Sequence, residues 1–158
     1  MNEMRPFKDD FFRYQAKRFQ ELMEEVVQCC ETRTAYFSEK FGIPSAELRC
    51  LMLFREEKYL TVKGIAQKLD VAKSRVTKIV SGLLEKGLVT RIDDPSDGRV
   101  KLISLTREGR AKSEEIASLS SRMHEMILLE MEPEERKMVL TALERLRTSM
   151  EAVKERMM

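Results

Sequence analysis

At 158 residues, with 42% hydrophobic and 35% charged side chains, the chain is long enough for one domain, or for one lobe that completes its core with a second copy. Six glycines and four prolines favour helices over a sandwich or barrel. No apolar run approaches the roughly 20 residues of a membrane span, residues 1–10 carry no apolar core of a secretion signal, and the expectation is a cytoplasmic protein whose Cys29, Cys30 and Cys50 are reduced thiols.

The first predicted element is a long helix over residues 8–40. Its Phe12, Phe19, Leu22, Val26, Cys29 and Tyr36 keep close to a seven-residue repeat, interrupted by Arg33. Gly42 stops this helix and Pro44 blocks its continuation. Ser45 is read as the cap of a second helix over residues 46–57, with Leu48, Leu51, Met52 and Phe54 on its buried side. Residues 60–62 form a short extended piece. Helices over 63–69 and 73–86 follow, separated by the turn Asp70-Val71-Ala72. Gly87 ends the latter, residues 88–92 alternate as a strand, the polar loop 93–99 turns the chain, and residues 100–105 return as the partner strand. Thr106 caps a fifth helix reaching about residue 130, and Pro133 with Glu134 and Glu135 opens a sixth.

The sixth helix has the cleanest periodicity. Val139, Leu143, Leu146, Met150, Val153 and Met157 alternate spacings of four and three, the pattern of a seam that packs on another helix. Together with Phe12, Phe19, Leu22 and Val26 it supplies two apolar seams at opposite ends of a small chain. Both ends are expected to meet in one helical layer, and two such seams exceed what one monomer readily buries. The expectation is a symmetric homodimer; an intramolecular helix pair is the competing reading.

Residues 60–106 thus read as a helix-turn-helix followed by a hairpin with a basic tip, which is a winged helix. The expected fold class is mainly α with a small β-hairpin. A winged helix-turn-helix over 43–106 is flanked by an N-terminal dimerisation helix, 1–42, and C-terminal dimerisation helices, 107–158. Charge follows the same division: residues 60–101 carry a net +4, leaving −2 for the rest of the chain. Positive potential is therefore concentrated where phosphate binding would require it.

On the helix over 73–86, Val76, Ile79, Val80 and Leu83 share one side at about 100° per residue. Ser74, Lys78 and Ser81 point the opposite way, with Lys73 at the start and Arg75 and Thr77 on the flanks. Short hydroxyls and long cations are the side chains that contact base edges and phosphates. Gly82 is assigned to the same outward face, where it presents no bulk. In the loop, Asp97 and Arg99 flank Gly98, a spacing that lets the carboxylate hold the guanidinium and aim it at a narrow, negative minor groove. The competing readings are an ordinary solvated helix face and an exposed hairpin tip with an incidental ion pair. The DNA-binding set is Lys73, Ser74, Arg75, Thr77, Lys78, Ser81, Asp97 and Arg99.

Five motifs carry a close resemblance to a known family. They are Ile65-Ala66-Gln67-Lys68-Leu69, Ser74-Arg75-Val76-Thr77-Lys78-Ile79-Val80, Leu83-Leu84-Glu85-Lys86-Gly87-Leu88-Val89, Asp94-Pro95-Ser96-Asp97-Gly98-Arg99 and Leu105-Thr106-Arg107-Glu108-Gly109. Over residues 42–155 the chain resembles the MarR family of bacterial and archaeal transcription regulators. The resemblance implies an obligate homodimer with interlocked terminal helices that binds double-stranded DNA at a pseudo-palindromic operator. It further implies a repressor released by a small molecule or oxidant, with Arg99 as the minor-groove arginine and Asp97 as its orienting partner. Ala72 departs from the serine-like cap of many relatives, a change that costs the helix about 1 kcal/mol without removing a DNA contact.

The signal is less legible. Eleven methionines suggest a deformable interior open to a small apolar or aromatic effector, or simply flexible core filling. The resemblance places such a ligand between the helical layer and the winged helix, on no named residues. Cys50, between Leu48 and Leu51, reads as core; Cys29 lies on the first helix's seam and Cys30 beside it is more open. A thiol-based redox regulator is thus an alternative, although the cysteine of peroxide-sensing relatives is not matched. His124 is the only histidine, so no His-rich metal site is expected, and no cofactor is called for. No nucleophile elbow, phosphate loop or catalytic triad is present in the sequence, which argues against an enzyme. A winged helix used for protein contact is the remaining rival, and a steep salt dependence of DNA binding separates the two.

Overall fold

Short-range signals start and stop the helices. The structure, a computed structural model, describes residues 9–158. The elements are α1 (Asp10–Phe41), α2 (Ser45–Leu53), β1 (Leu60–Thr61), α3 (Val62–Leu69), α4 (Lys73–Glu85), β2 (Val89–Asp93), β3 (Lys101–Leu105), α5 (Arg107–Leu129) and α6 (Pro133–Met157). Asp9 caps α1 by accepting the Phe11 amide at 3.0 Å. Gly42 closes it in the left-handed region at φ 63°, while the amide of Ile43 reaches back to the Ser38 carbonyl. Residues 1–8, where the absence of a signal core was read and the first helix was expected to begin, lie outside the described residues.

α2 corrects the expected boundaries. Ser45 lies inside the helix, Pro44 occupies the cap, and no side chain caps the amides. The helix ends at Leu53 rather than near residue 57, because the amides of Phe54 and Arg55 tighten onto carbonyls three residues back, at Leu51 and Met52. Leu48, Leu51 and Phe54 are buried as expected, and Cys50 is fully buried; Met52 is only half-buried.

The middle of the chain follows its sequence signals closely. Val62 belongs to α3 rather than to the extended piece, since Thr61 caps that helix through the Gly64 amide at 2.9 Å. Asp70 ends α3 in the left-handed region. Gly87, at φ 69°, ends α4, with the Leu88 amide bonded to the Leu83 carbonyl. Thr106 caps α5 through the Gly109 amide, and its hydroxyl donates to the Gly87 carbonyl.

The expected hairpin is part of a three-stranded antiparallel sheet in the order β1-β3-β2. β2 and β3 pair from Val89↔Leu105 out to Asp93↔Lys101, and β1 adds Leu60↔Ile103 and Thr61↔Leu102. β2 does not alternate in burial. Only Val89 is buried, because the strand leaves the core after its first residue and the rest projects into solvent.

The chain divides into two compact units, one ending at Ala111 and one beginning at Lys112. The first has its core where α2, α3 and α4 meet the sheet: Leu51, Ile65, Val76, Val80, Leu83 and Ile103 are almost wholly buried. Each such side chain contributes about 1.5–3 kcal/mol by leaving water. In the second unit, Pro133 opens α6 at its first turn and Glu132 forms a reciprocal capping box with Glu135. Arg136 Nε ties the preceding turn by donating to the carbonyls of Leu128 and Met131. Among the described residues, no helix is long and apolar enough to cross a membrane.

Candidate nucleic-acid interface

α4 is amphipathic in the strict sense that one face is sealed. Val76, Ile79, Val80 and Leu83 are all buried, which fixes the rotation of the helix and presents Lys73, Ser74, Arg75, Thr77 and Lys78 to solvent. Ser81 is only partly exposed. Ala72 provides no side-chain cap, as expected from its methyl group, and the Thr77 hydroxyl instead donates to the Lys73 carbonyl. Ser74, Arg75 and Lys78 line a groove of about 490 Å³, with Pro44 and Glu47 forming part of its other side.

Gly82 does not sit on the open face. A Cβ at this position would lie 2.1 Å from Glu47 Oε1, so the missing side chain leaves room for a carboxylate from α2. Glu47 is buried, and its Oε2 lies 2.8 Å from Lys86 Nζ in an ionic contact that is not a well-directed hydrogen bond. The sequence reading missed Glu47. The signal available was the isolated glycine inside a strong helical pattern, a mark of close approach by another group.

In the wing, Arg99 is exposed at the tip of the hairpin. Asp97 contacts it through the backbone: its Oδ1 accepts the Arg99 amide at 3.0 Å. The expected grip on the guanidinium is absent among the described ion pairs. The physical reason is reach, since an aspartate two residues before an amide closes a local turn more readily than it folds over a gap to a long side chain. Asp94 makes a second turn of this kind with the Ser96 amide at 2.7 Å. Lys101 and Asp93 form an ion pair across the base of the loop. The wing thus has a locally determined shape and carries a cation at its end.

The proposed dimer residues are open in this chain. Phe12, Phe19, Leu22 and Val26 on α1, with Leu143, Met150 and Val153 on α6, are 41–57% exposed, and Val139 and Leu146 are half-buried. The cysteines separate by burial. Cys29 and Cys30 are exposed, whereas burial, reinforced by the nearby Glu47 charge, pushes the Cys50 thiol up to about 12. Among the described residues no group of histidine, cysteine or acidic side chains is arranged to hold a metal ion.

Comparison with known proteins agrees with this arrangement. A MarR family model matches residues 41–100, the stretch from the end of α1 to the loop of the wing, short of β3. The Bacillus subtilis HTH-type transcriptional regulator YwoH is 33% identical over 98 residues, covering 62% of this chain and 71% of its own. Several other curated relatives are matched over 58–66% of their length, a little under two thirds. A MarR family protein from Bacillus stearothermophilus shares the fold at a TM-score of 0.79 and 23% identity, over 87% of this chain and 96% of that one. A point mutant of S. aureus MepR, solved bound to an oligodeoxyribonucleotide, aligns at a TM-score of 0.60 and 22% identity over 84% of this chain and 97% of that one. From its helix-turn-helix through its wing, and in its relatives alike, this chain belongs to the MarR family of transcriptional regulators.

Proposed function

We propose that the protein binds double-stranded DNA as a homodimer at a pseudo-palindromic operator and acts as a repressor. The observation that carries this reading is the pairing of a sealed and an open face on α4, next to a projecting hairpin with Arg99 at its tip. Lys73, Ser74, Arg75, Thr77, Lys78 and Ser81 enter the major groove. Arg99 enters the neighbouring minor groove, with Asp97 shaping the turn that carries it. The exposed stripes on α1 and α6 support a second copy as their cover, and two copies give the two-fold symmetry that a palindromic site requires. A groove of about 430 Å³ between α1 and α2, bordered by the seam residue Val26 and lined by Val27, Cys30 and Ala35 beside the polar Glu31, Thr34, Ser45 and Arg49, is the place for a small effector with apolar or aromatic and polar parts that releases the DNA.

The test is selection of a duplex from a random pool, followed by titration of that duplex at rising salt. A selected sequence whose log affinity falls linearly with log salt supports the reading, since each phosphate neutralised releases counterions. Failure to enrich any sequence, with affinity indifferent to salt, would leave protein contact as the role of the winged helix.

A further inference from the structure

Within the first unit, a polar contact lies directly behind the helix that presents the proposed DNA-reading residues. Glu47 sits in the first turn of α2, where a negative charge is favoured by the helix dipole. Its side chain is 12% exposed and reaches the C-terminal half of α4. There Oε1 occupies the space a Cβ on residue 82 would fill, and Oε2 meets Lys86 Nζ at 2.8 Å. The same ammonium lies 3.5 Å from the Gly82 carbonyl, which also accepts the Lys86 amide at 3.2 Å. One carboxylate and one ammonium therefore join α2 to α4 across a glycine.

Apolar packing alone does not fix such a joint closely. Val76, Ile79, Val80 and Leu83 hold α4 against the core and set which face turns outward, but hydrophobic burial is non-directional and tolerates small slides along the helix axis. The Glu47–Lys86 contact adds a constraint along the helix axis, because the carboxylate fits against α4 only where residue 82 has no Cβ. Glu47 also borders the groove lined by Ser74, Arg75 and Lys78, so the joint reaches the margin of the reading face. After burial, the charge of the same carboxylate helps keep the Cys50 thiol protonated.

We infer that Glu47, Gly82 and Lys86 form a positioning latch that sets the placement of α4 and thereby the protein's discrimination between DNA sequences. Neither Glu47 nor Gly82 is a DNA contact; they act through the residues on the opposite side of the helix. The inference rests on the DNA-reading function proposed above. Base-edge hydrogen bonds lose strength with small misplacements, whereas phosphate attraction is long-ranged and tolerant. A loosened latch therefore weakens specific binding much more than non-specific binding.

The experiment compares the duplex selected by the wild-type protein with a scrambled duplex of the same length, at two salt concentrations. Glu47→Gln, Gly82→Ala and Lys86→Met are expected to weaken binding to the selected duplex about tenfold, which is about 1.4 kcal/mol. For Gly82→Ala, which changes no charge, binding to the scrambled duplex and the salt slope stay at wild-type values; the two charge-changing variants lose discrimination between the duplexes by the same factor. Lys86→Arg, which keeps the charge and the reach, retains discrimination. Circular dichroism confirms that each variant is folded. If Glu47→Gln unfolds the protein, Gly82→Ala, which removes no charge and favours helix, carries the test. Three results overturn the proposal: unchanged discrimination in folded variants, an equal loss on both duplexes, or tighter binding to both after Glu47→Gln, which would mark the carboxylate as a plain electrostatic brake. A wild-type protein that selects no sequence is a different failure, that of the DNA reading itself.

Discussion

Gly109 lies against the Leu88 carbonyl so closely that a Cβ on it would sit 1.8 Å from the oxygen. The neighbouring bonds explain why the approach is so tight. Thr106 donates its amide to the Leu88 carbonyl and its hydroxyl to the Gly87 carbonyl, and the Gly109 amide donates back to that hydroxyl. The start of α5 is thereby bonded to the end of α4 and the beginning of the wing. Gly109→Ala must move backbone rather than a side-chain tip, and should destabilise the protein by about 1–3 kcal/mol in urea unfolding. Gly98→Ala, with open space around it, should stay within about 0.5 kcal/mol of wild type in the same measurement.

Arg99→Ala should cost at least about tenfold in affinity for the selected duplex, about 1.4 kcal/mol, with the melting temperature unchanged. Lys78→Ala should cost about 1–3 kcal/mol if it reads a base edge. Unchanged anisotropy titrations for Arg99→Ala would remove the wing from the interface.

The two aspartate variants at the wing separate turn formation from charge pairing. Asp97→Asn keeps an oxygen acceptor for the Arg99 amide and should bind DNA nearly as wild type does. Asp97→Ala removes the acceptor and should weaken binding. Equal losses in both variants would point to the carboxylate charge instead of the turn.

Leu146→Glu places a charge in the middle of the α6 seam. Sedimentation should show the wild type as a dimer and this variant as a monomer or unfolded chain, with DNA binding lost in parallel. A dimeric, DNA-competent Leu146→Glu protein would mean that the seam faces elsewhere.

Cys50 makes a pH-dependent prediction. Its thiol ionises near 9.0 once exposed but only near about 12 when folded. The stability contributed by keeping it neutral is complete below pH 9 and is lost as pH rises toward 12, at up to about 1.4 kcal/mol per unit. The stability advantage of wild type over Cys50→Ala should therefore narrow across that interval. At pH 8, alkylation of the native protein should label Cys30 and spare Cys50; rapid labelling of Cys50 would contradict its burial.

Local patterns made much of this legible. The 3.6-residue spacing of Val76, Ile79, Val80 and Leu83 is the physical cause of the sealed face on α4, so the exposed set on the other side followed from periodicity. Gly42 and Gly87 announced helix ends because their left-handed conformations carry no Cβ penalty. Less local features leave no such mark in the pattern. Ser45 looked like a cap because serine prefers that position, yet Pro44 took it, and β1 looked like an isolated extended piece because its partner strand lies some forty residues away.

By itself, then, the sequence determined the helices, the hairpin and the faces they turn outward, since each depends on neighbours within a turn or two of the chain. Tertiary structure alone decided three other matters: that β1 joins β3, that Gly109 admits the Leu88 carbonyl, and that Gly82 is vacant because Glu47 fills its space. Those depend on which atoms approach when separate elements pack, and close packing at ångström tolerances is not encoded in the period of any single helix or strand.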